Sequence, residues 1–537
     1  MKANPSRFWI VTILLGWIFD FLFWNKPLGV NFAIFVGLCL LTGILFLRAD
    51  GLRLARGSGL LLLPIAFFAA ITFIRLEPLT VFLAVVMVLF LMGLFALTYL
   101  SGEWSRYSMV DYFWGYLRLA GSMIARPLGF ASENRREQPV EGAKRGSQVW
   151  PILRGLVIAL PVVAIFAALL SSADPIFASR FEDFIDVFKI ENLPQYIFRL
   201  VLILVVAYVL AGTFLHAAQK SDEKVEEKTL FSPFLGFTES TIVLGSVVLL
   251  FVAFVIVQFQ YFFGGQANIS LEGFTYSEYA RKGFGELVTV AFFSLLLLLG
   301  LGAMTRRATE SQRRTFSSLG VILVGLVIVM LVAAFQRLVL YEMAYGFSRL
   351  RTYTHVFMIW LGLLLVVVVI LEILRRERAV ALAMVLASLG FAVSLSLLNV
   401  DAFIVQQNVQ REIRGTGEKV SGSRTGLDTQ YFMDLSEDSI PPLVEAFHSK
   451  SLPVPVKEKV GAALACKLYE DRQKYKEDSK KYSPWQSFHF SRLNADVAFN
   501  QVSKELKAYK MTTQIWPLKV ETPGGEEFSC YQDYFMD

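Results

Sequence analysis

Long apolar segments separated by polar loops fill the first 400 residues of the chain. A bilayer-spanning helix needs about 20 mostly apolar residues, because each residue rises about 1.5 Å across about 30 Å of hydrocarbon. The segments that predict spans are Phe8–Trp24, Leu28–Leu47, Ser58–Ile74, Pro78–Leu100, Val149–Leu170, Pro194–Ala217, Thr241–Phe263, Leu287–Met304, Ser317–Leu338, Tyr353–Leu374 and Ala379–Leu398. The pattern predicts an all-α fold, a polytopic membrane helix bundle of about 11 transmembrane helices.

The pattern changes at residues 401–537, which are polar and rich in Lys, Glu, Ser and Tyr. Pro441 and Pro442 suit the first turn of a helix. Apolar stripes at helical spacing follow in Val454–Lys474 and Phe488–Tyr509. We therefore predict two domains, a helix bundle over residues 1–400 and a small, mostly helical, soluble C-terminal domain over residues 401–537.

The longest loop predicted to be cytoplasmic covers residues 101–148. Its apolar residues recur at helical spacing, at Met109, Phe113, Tyr116, Leu117, Ala120 and Met123. This pattern predicts an amphipathic helix on the inner membrane surface, and a cytoplasmic helical hairpin tip is the alternative.

Lys and Arg are concentrated in every second loop, which sets an orientation because cytoplasmic loops carry the excess of basic residues. The basic loops hold, among others, Arg48, Arg53, Arg56, Arg135, Arg136, Lys220, Lys224, Arg306, Arg307, Arg375 and Arg376. The N-terminus is predicted inside and, after an odd number of spans, the C-terminal domain outside. We expect a multi-pass protein of the cytoplasmic (inner) membrane.

Composition agrees with this class, since 55% of residues are hydrophobic and only 18% are charged. A formal net charge of +6 is ordinary for such a protein and gives no reason to expect nucleic acid as a partner. Cys39 lies within a span, whereas Cys466 and Cys530 lie in the C-terminal domain and either stay reduced or form a disulfide there. The four scattered histidines and the lack of a CxxC pair predict no metal site, and no motif predicts a cofactor.

Charged and tyrosine side chains gather at the predicted outer ends of several spans. An ionisable group inside a span costs roughly 2.5–3.5 kcal/mol on insertion scales, so each is a functional hypothesis. The candidate ligand-binding residues are Asp20, Tyr279, Arg281, Glu286, Arg337, Tyr341, Glu342, Tyr345, Arg349 and Arg351. They predict an outward-facing polar site for an anionic lipid or envelope ligand, and helix-fixing salt bridges are the alternative.

Several motifs in the same regions look familiar: Trp17–Val30, Tyr276–Leu287, Tyr341–Thr354, Leu398–Arg411 and Leu427–Val444. In this order they resemble a bacterial multi-pass membrane family described as a domain of unknown function, the 4153/4173 group. The resemblance covers nearly the whole chain, including the C-terminal segment. It implies the same domain layout and transfers no catalytic residue.

Three functions remain open from the sequence. The first is a non-enzymatic envelope protein that senses or binds a ligand outside, or assists a membrane protein partner. The second is a transporter, although no internal repeat or matched pair of broken spans is visible. The third is an enzyme that acts on a lipid-linked substrate at the outer leaflet, which the very short first outer loop, Asn25–Pro27, disfavours. No catalytic residue is predicted.

Overall fold

The computed structural model describes residues 5–137, 193–219, 234–263, 284–376, 378–414, 427–477, 484–512 and 518–530, with isolated positions between residues 159 and 177. Within these residues, ten helices are long and apolar enough to cross a membrane. The predicted all-α, polytopic helix bundle is confirmed. The predicted span Val149–Leu170 lies outside the continuously described residues, so the count of eleven stays a prediction.

The candidate spans lie close to the predicted segments. They are formed by α1 (Pro5–Phe23), α2 (Val30–Ala49), α3 with α4 (Arg56–Gly59 and Leu62–Ile74), α5 (Pro78–Thr98), α7 (Leu193–Ala217), α8 (Phe237–Phe263), α9 (Phe284–Met304), α10 (Glu310–Tyr345), α11 (Arg349–Ile373) and α12 (Ala379–Leu398). The amphipathic segment forms α6 (Met109–Glu137), which is too polar to be counted among the spans.

Helix α10 is longer than its apolar core because both of its ends are capped. Thr309 accepts a hydrogen bond from the backbone N–H of Gln312, and the Gln312 side chain accepts one from the backbone of Thr309. This reciprocal capping box begins the helix a full turn or more before the apolar run. Gly346 ends the helix at a φ of 83°, a value that favours glycine.

The C-terminal segment combines helices with a small sheet. It contains α13 (Val400–Arg414), α14 (Ile440–His448), α15 (Val454–Glu477) and α16 (Phe490–Val502). The antiparallel strands β1 (Lys510–Thr512), β2 (Lys519–Glu521) and β3 (Glu527–Ser529) follow, in that order across the sheet. The sheet was not predicted, because three-residue strands are too short to show an alternating pattern. A disulfide links Cys466 of α15 to Cys530, which follows β3.

The chain divides into two compact units. The first comprises Met1–Trp24, Leu38–Leu52 and Arg118–Gln219. In it, α1 packs closely against α7, since a Cβ atom on Gly16 would lie 2.3 Å from the backbone oxygen of Ile203. Only glycine permits this approach of the two backbones.

The second unit comprises Asn25–Gly37, Arg53–Leu117 and Lys220–Asp537, and its described residues include two hydrophobic cores. One core lies among α8 to α12 and includes Leu244, Leu295, Leu323 and Leu365. The other is built mainly from the C-terminal segment, with Phe432, Leu443, Val460, Phe499 and Cys466. It also contains Leu395 of α12, and Leu79 and Leu83 of α5 pack against it. The C-terminal segment therefore packs directly on the ends of spans in this unit.

Candidate functional site

The end of α4 is tied to the C-terminal segment through its last polar groups. Arg75 follows the helix, and its guanidinium Nε donates to the Ser396 backbone oxygen at 3.1 Å. Its Nη1 lies 3.9 Å from a carboxylate oxygen of Asp438. The backbone N–H of Leu76 donates to the same carboxylate at 2.7 Å. The Asp438 carboxylate of the C-terminal segment thus contacts both a backbone N–H and a guanidinium where the chain turns from α4 to α5.

The start of α5 is capped by Glu77, which is 1% exposed. Its carboxylate accepts hydrogen bonds from the backbone N–H groups of Leu79 at 2.9 Å and Thr80 at 2.7 Å. A carboxylate suits the positive end of a helix, where backbone N–H groups have no partner within the helix. The hydroxyl of Tyr353 in α11 also donates to this carboxylate. Glu77 therefore joins α5 to α11.

The start of α11 is fixed by a two-pronged ion pair. Arg349 donates from Nε to Asp401 Oδ1 at 2.7 Å and from Nη2 to Oδ2 at 2.5 Å. The Asp401 side chain is fully buried and also accepts from the backbone N–H of Ser436 at 2.7 Å. The backbone N–H of Arg349 donates to the Tyr431 hydroxyl at 2.9 Å. Such a paired fork is the strongest geometry available to an arginine and a carboxylate.

Asp438, His489 and Ser491 are the residue types of a hydrolase triad, but their hydrogen bonds run differently. The Ser491 hydroxyl donates to Asp438 at 2.7 Å, not to the histidine. His489 Nδ1 faces the backbone N–H of Ser491 at 3.2 Å, and its Nε2 lies 3.1 Å from the Arg75 backbone oxygen. A triad needs a nucleophile bonded to a histidine that can accept its proton. This arrangement supports a structural role.

Burial lowers the pKa of His489 and raises that of Asp438. Burial, aided by the nearby charge of Arg492, lowers the pKa of His489 to about 4. The ring is therefore neutral near pH 7, which agrees with Nδ1 accepting and Nε2 donating. Burial raises the pKa of Asp438, and the hydrogen bonds from Leu76 and Ser491 only partly oppose this.

We call this group of residues the docking cluster. Its members are Arg75, Glu77, Arg349, Tyr353, Asp401, Asp438 and His489. Their polar atoms are directed at one another and at backbone groups of the second unit. Together they fix the C-terminal segment to the ends of α4, α5, α11 and α12.

A second polar pair lies between α10 and α11. Glu342 is 2% exposed, and its Oε1 lies 3.1 Å from Nδ1 of His355. The ring of Phe335 stands 4.5 Å from the histidine ring. Among the described residues, neither Glu342 Oε1 nor His355 Nε2 has a hydrogen bond of acceptable geometry. Buried polar groups are rarely left so, and this pair is chemically distinct from the satisfied docking cluster.

The turn between α10 and α11 gathers three of the predicted site residues. The rings of Tyr341 and Tyr345 lie 4.9 Å apart, and the Arg351 guanidinium lies 4.1 Å from the Tyr341 ring centre. Arg351 also donates to the backbone oxygen of Gly346. The Asn408 amide of α13 completes the turn, accepting from the Phe347 N–H at 2.7 Å and donating to its oxygen at 3.0 Å.

The other predicted site residues do not join these groups. Arg337 donates to Gln258 of α8 at 2.7 Å, and Glu286 lies exposed in the first turn of α9. Asp20 belongs to the first unit, where Arg199 binds both of its oxygens at 2.5–3.1 Å. Tyr279 and Arg281 lie outside the described residues.

Sequence reasoning missed the partners of the predicted site: Tyr353, His355, Asp401, Asp438 and His489. Asp401 and Tyr353 lie within the motifs Leu398–Arg411 and Tyr341–Thr354, but nothing in those motifs says which residues face each other. Asp438 precedes Pro441 and resembles an ordinary residue before a helix. Pairings across the fold leave no periodic signal in a single sequence.

The C-terminal segment also carries an open groove of about 770 Å³ between α14 and α16. It is lined by Pro441, Val444, Glu445, His448, Ser449, Asn494, Val497, Ala498 and Gln501. The described part of the chain contains no group of three or more His, Cys, Asp or Glu side chains that could hold a metal ion.

Comparison with known protein families gives a match. The family model described as "Domain of unknown function (DUF4153)" matches residues 62–446. The matched stretch runs from α4 into α14 and contains every member of the docking cluster except His489. No curated protein and no solved structure matches the chain.

Proposed function

Because the chain belongs to the DUF4153 family of unknown function, we propose a role from its geometry. We propose a non-enzymatic protein of the bacterial cytoplasmic membrane that senses or binds a component of the envelope, or assists a membrane partner. The C-terminal segment lies outside in this proposal and engages the partner. The docking cluster transmits that engagement to the spans.

One observation carries the proposal: Arg349, a predicted site residue at the start of α11, and Arg75, at the end of α4, both contact carboxylates of the C-terminal segment. Arg349, predicted as a ligand residue, directs Nε and Nη2 at Asp401, so an anionic ligand would have to displace that carboxylate to gain the same two-pronged contact. A buried ion pair contributes specificity of arrangement more readily than net stability. The cluster is thus suited to hold one defined arrangement of segment and spans.

The alternating topology supports the placement of the C-terminal segment outside. The groups that meet in the docking cluster come from the end of α4, the start of α5, the start of α11 and the end of α12. The distribution of Lys and Arg assigns all four ends to the outer side. A partner could then reach the groove between α14 and α16 from the same side.

A cell-based comparison tests the proposal. A strain lacking the gene would be complemented with wild type, Asp401→Asn, or Glu412→Gln as a control on the same helix, and transcripts and envelope composition would be profiled. We expect Asp401→Asn, at wild-type abundance in the membrane, to behave like the deletion strain. Full complementation by Asp401→Asn at wild-type abundance would contradict a signalling role for the cluster.

Transport is the second candidate, and the Glu342–His355 pair favours it. Ionisable residues inside spans mark proton or ion pathways when they face the protein interior. Here a buried carboxylate and an imidazole lie 3.1 Å apart, and each has a polar atom without a hydrogen bond of good geometry. Proton flux into vesicles containing the purified protein should then fall in Glu342→Gln and persist in Glu310→Gln, which changes an exposed acid of α10. Equal flux in protein-free vesicles would exclude proton transport.

A further inference from the structure

The segment that leads into α16 exposes a cluster of large apolar side chains on the C-terminal domain. Trp485 is 57% exposed, and Phe488, Phe490 and Leu493 are each 40–45% exposed. The rings of Phe488 and Phe490 lie 5.1 Å apart. Leu493 lies one turn after Phe490 on the same face of α16, and Trp485 lies in the turn just before it. We call this cluster the aromatic patch. Contiguous exposed apolar surface of this kind marks a membrane or protein contact.

The aromatic patch is attached to the ends of two candidate spans. The ring of Phe490 lies 5.8 Å from that of Phe73, the second-last residue of α4. The backbone oxygen of Phe488 accepts a hydrogen bond of 3.1 Å from the N–H of Val30, the first residue of α2. Gly29 permits this contact, because a Cβ atom there would lie 2.7 Å from the same oxygen. The patch is therefore held where two apolar helices leave the hydrocarbon.

We propose that the aromatic patch inserts into the headgroup boundary of the bilayer and anchors the C-terminal domain to lipid. Three features favour lipid over another protein. The patch continues the apolar surface of spans that must themselves be surrounded by lipid. Trp and other aromatic side chains are enriched at this depth, where an apolar ring meets polar headgroups. The first turns of α16 expose Phe490 and Leu493 on one face and bury Ser491 and Ala495 on the other, so an apolar face points away from the protein.

The inference rests on the spans and not on the proposed function, because it holds for either orientation of the protein. It also does not require a particular headgroup. The contact is apolar, so the occupant is the acyl and headgroup boundary of a phospholipid bilayer.

Photocrosslinking in full-length protein tests the proposal. A benzophenone amino acid would replace Trp485, Leu493 or, as a control on β3 of the same domain, the exposed Glu527. The protein would be reconstituted in vesicles of phosphatidylethanolamine and phosphatidylglycerol, irradiated and analysed by mass spectrometry. We expect phospholipid adducts at positions 485 and 493 and few at 527. Lipid adducts equally frequent at all three positions, or absent from 485 and 493, would overturn the proposal.

Two further measurements cover the remaining outcomes. The tryptophan fluorescence of Trp485 is obtained by subtracting the fluorescence of Trp485→Phe from that of wild type. The variant keeps an aromatic ring and is expected to fold. Brominated lipids should quench this difference. No quenching of that difference would also refute lipid contact. Irradiation of cells that carry the same crosslinker should also give lipid adducts. If positions 485 and 493 instead gave one protein adduct and no lipid adducts, the patch would bind a protein partner and the lipid anchor would be refuted.

Discussion

At the residue scale, Gly346 has little freedom to change. It ends α10 with φ 83° and ψ 177°, a region that only glycine occupies at low cost. A Cβ atom there would also meet Asn408 Oδ1 at 2.6 Å. The turn to α11 depends on this residue. Arg351 donates to the backbone oxygen of Gly346, and Asn408 accepts from the backbone N–H of the next residue, Phe347.

Gly346→Ala should therefore lower the free energy of unfolding by about 1–3 kcal/mol, through backbone strain and the clash with Asn408. The measurement is reversible denaturant unfolding of the purified protein in detergent. Gly325→Ala is the matched control, since it lies within the same helix and its Cβ would have open space. Alanine there should be neutral or favourable by about 0.5–1 kcal/mol. Equal stability of the two variants would show that the turn is not constrained as described.

His489 gives the docking cluster a dependence on pH. Its pKa in the folded protein is about 4, below the ordinary value of 6.5. Below pH 6.5 this histidine becomes protonated in the unfolded chain but stays neutral in the folded protein. Protonation therefore favours the unfolded chain, and the free energy of unfolding decreases as the pH falls from 6.5 toward 4. The full loss is roughly 3 kcal/mol. The raised pKa of Asp438 acts in the opposite sense, because its folded form holds a proton more readily.

His489→Gln cannot take up the proton and should lose this part of the pH dependence. Denaturant unfolding would be compared at pH about 7.5 and about 5, where wild type should lose more stability than the variant. His448→Gln is the control, because His448 is half-exposed beside Glu505. An unchanged difference between the two pH values in His489→Gln would place the pH dependence elsewhere.

At the element scale, the contacts that organise the second unit occur where helices end. The apolar spans could be predicted because length and composition alone define a helix that crosses a bilayer. The start of α14 could be predicted from Pro441 and Pro442, which lie in its first turn. The pairing of Arg349 with Asp401 could not, since the two lie 52 residues apart and meet only through the packing of α11 on α13.

The same limit applies to the candidate site. The sequence identified Arg349 and Glu342 as unusual because charges near spans are costly. It could not distinguish Arg349, which forms a two-pronged pair with Asp401, from Glu342, which keeps an oxygen without a hydrogen bond. That difference depends on the direction of single side chains, and composition and spacing carry no information about direction.

The ion pair between Arg349 and Asp401 should be a strong determinant of docking. Arg349→Ala leaves a fully buried carboxylate without its partner, which should cost about 3–5 kcal/mol. Arg349→Ala with Asp401→Ala should cost less than the sum of the two single changes. The measurement is a double-mutant cycle of denaturant unfolding in detergent. Arg106→Ala is the control, since its pair with Glu103 is exposed and should contribute about 0–1 kcal/mol. Additive losses would show that the two side chains do not interact as the structure indicates.

At the scale of the whole molecule, the number of spans decides where the C-terminal segment lies. The described residues contain ten candidate spans, and the predicted span Val149–Leu170 lies outside the continuously described part. With eleven spans the two termini lie on opposite sides of the membrane, and with ten they lie on the same side. The disulfide between Cys466 and Cys530 bears on this choice, because such bonds persist in oxidising compartments and are rare in the cytoplasm.

We predict an N-terminus inside and a C-terminal segment outside. Alkaline phosphatase, active only outside the cytoplasm, and green fluorescent protein, fluorescent only inside it, would each be fused after Asp537. Phosphatase activity with little fluorescence is expected, and the reverse result would contradict the eleven-span topology.

The cysteines give an independent readout in cells. Thiol alkylation of denatured, unreduced protein should leave Cys466 and Cys530 unmodified, whereas reduction before alkylation should make both reactive. Cys39, a free and buried thiol, should react in either case once the protein is denatured and so reports that labelling worked. A phosphatase-active fusion with two freely alkylated C-terminal thiols would keep the orientation and refute the bond. A fluorescent fusion with a protected pair would contradict the predicted orientation and would mean that the bond forms inside the cell.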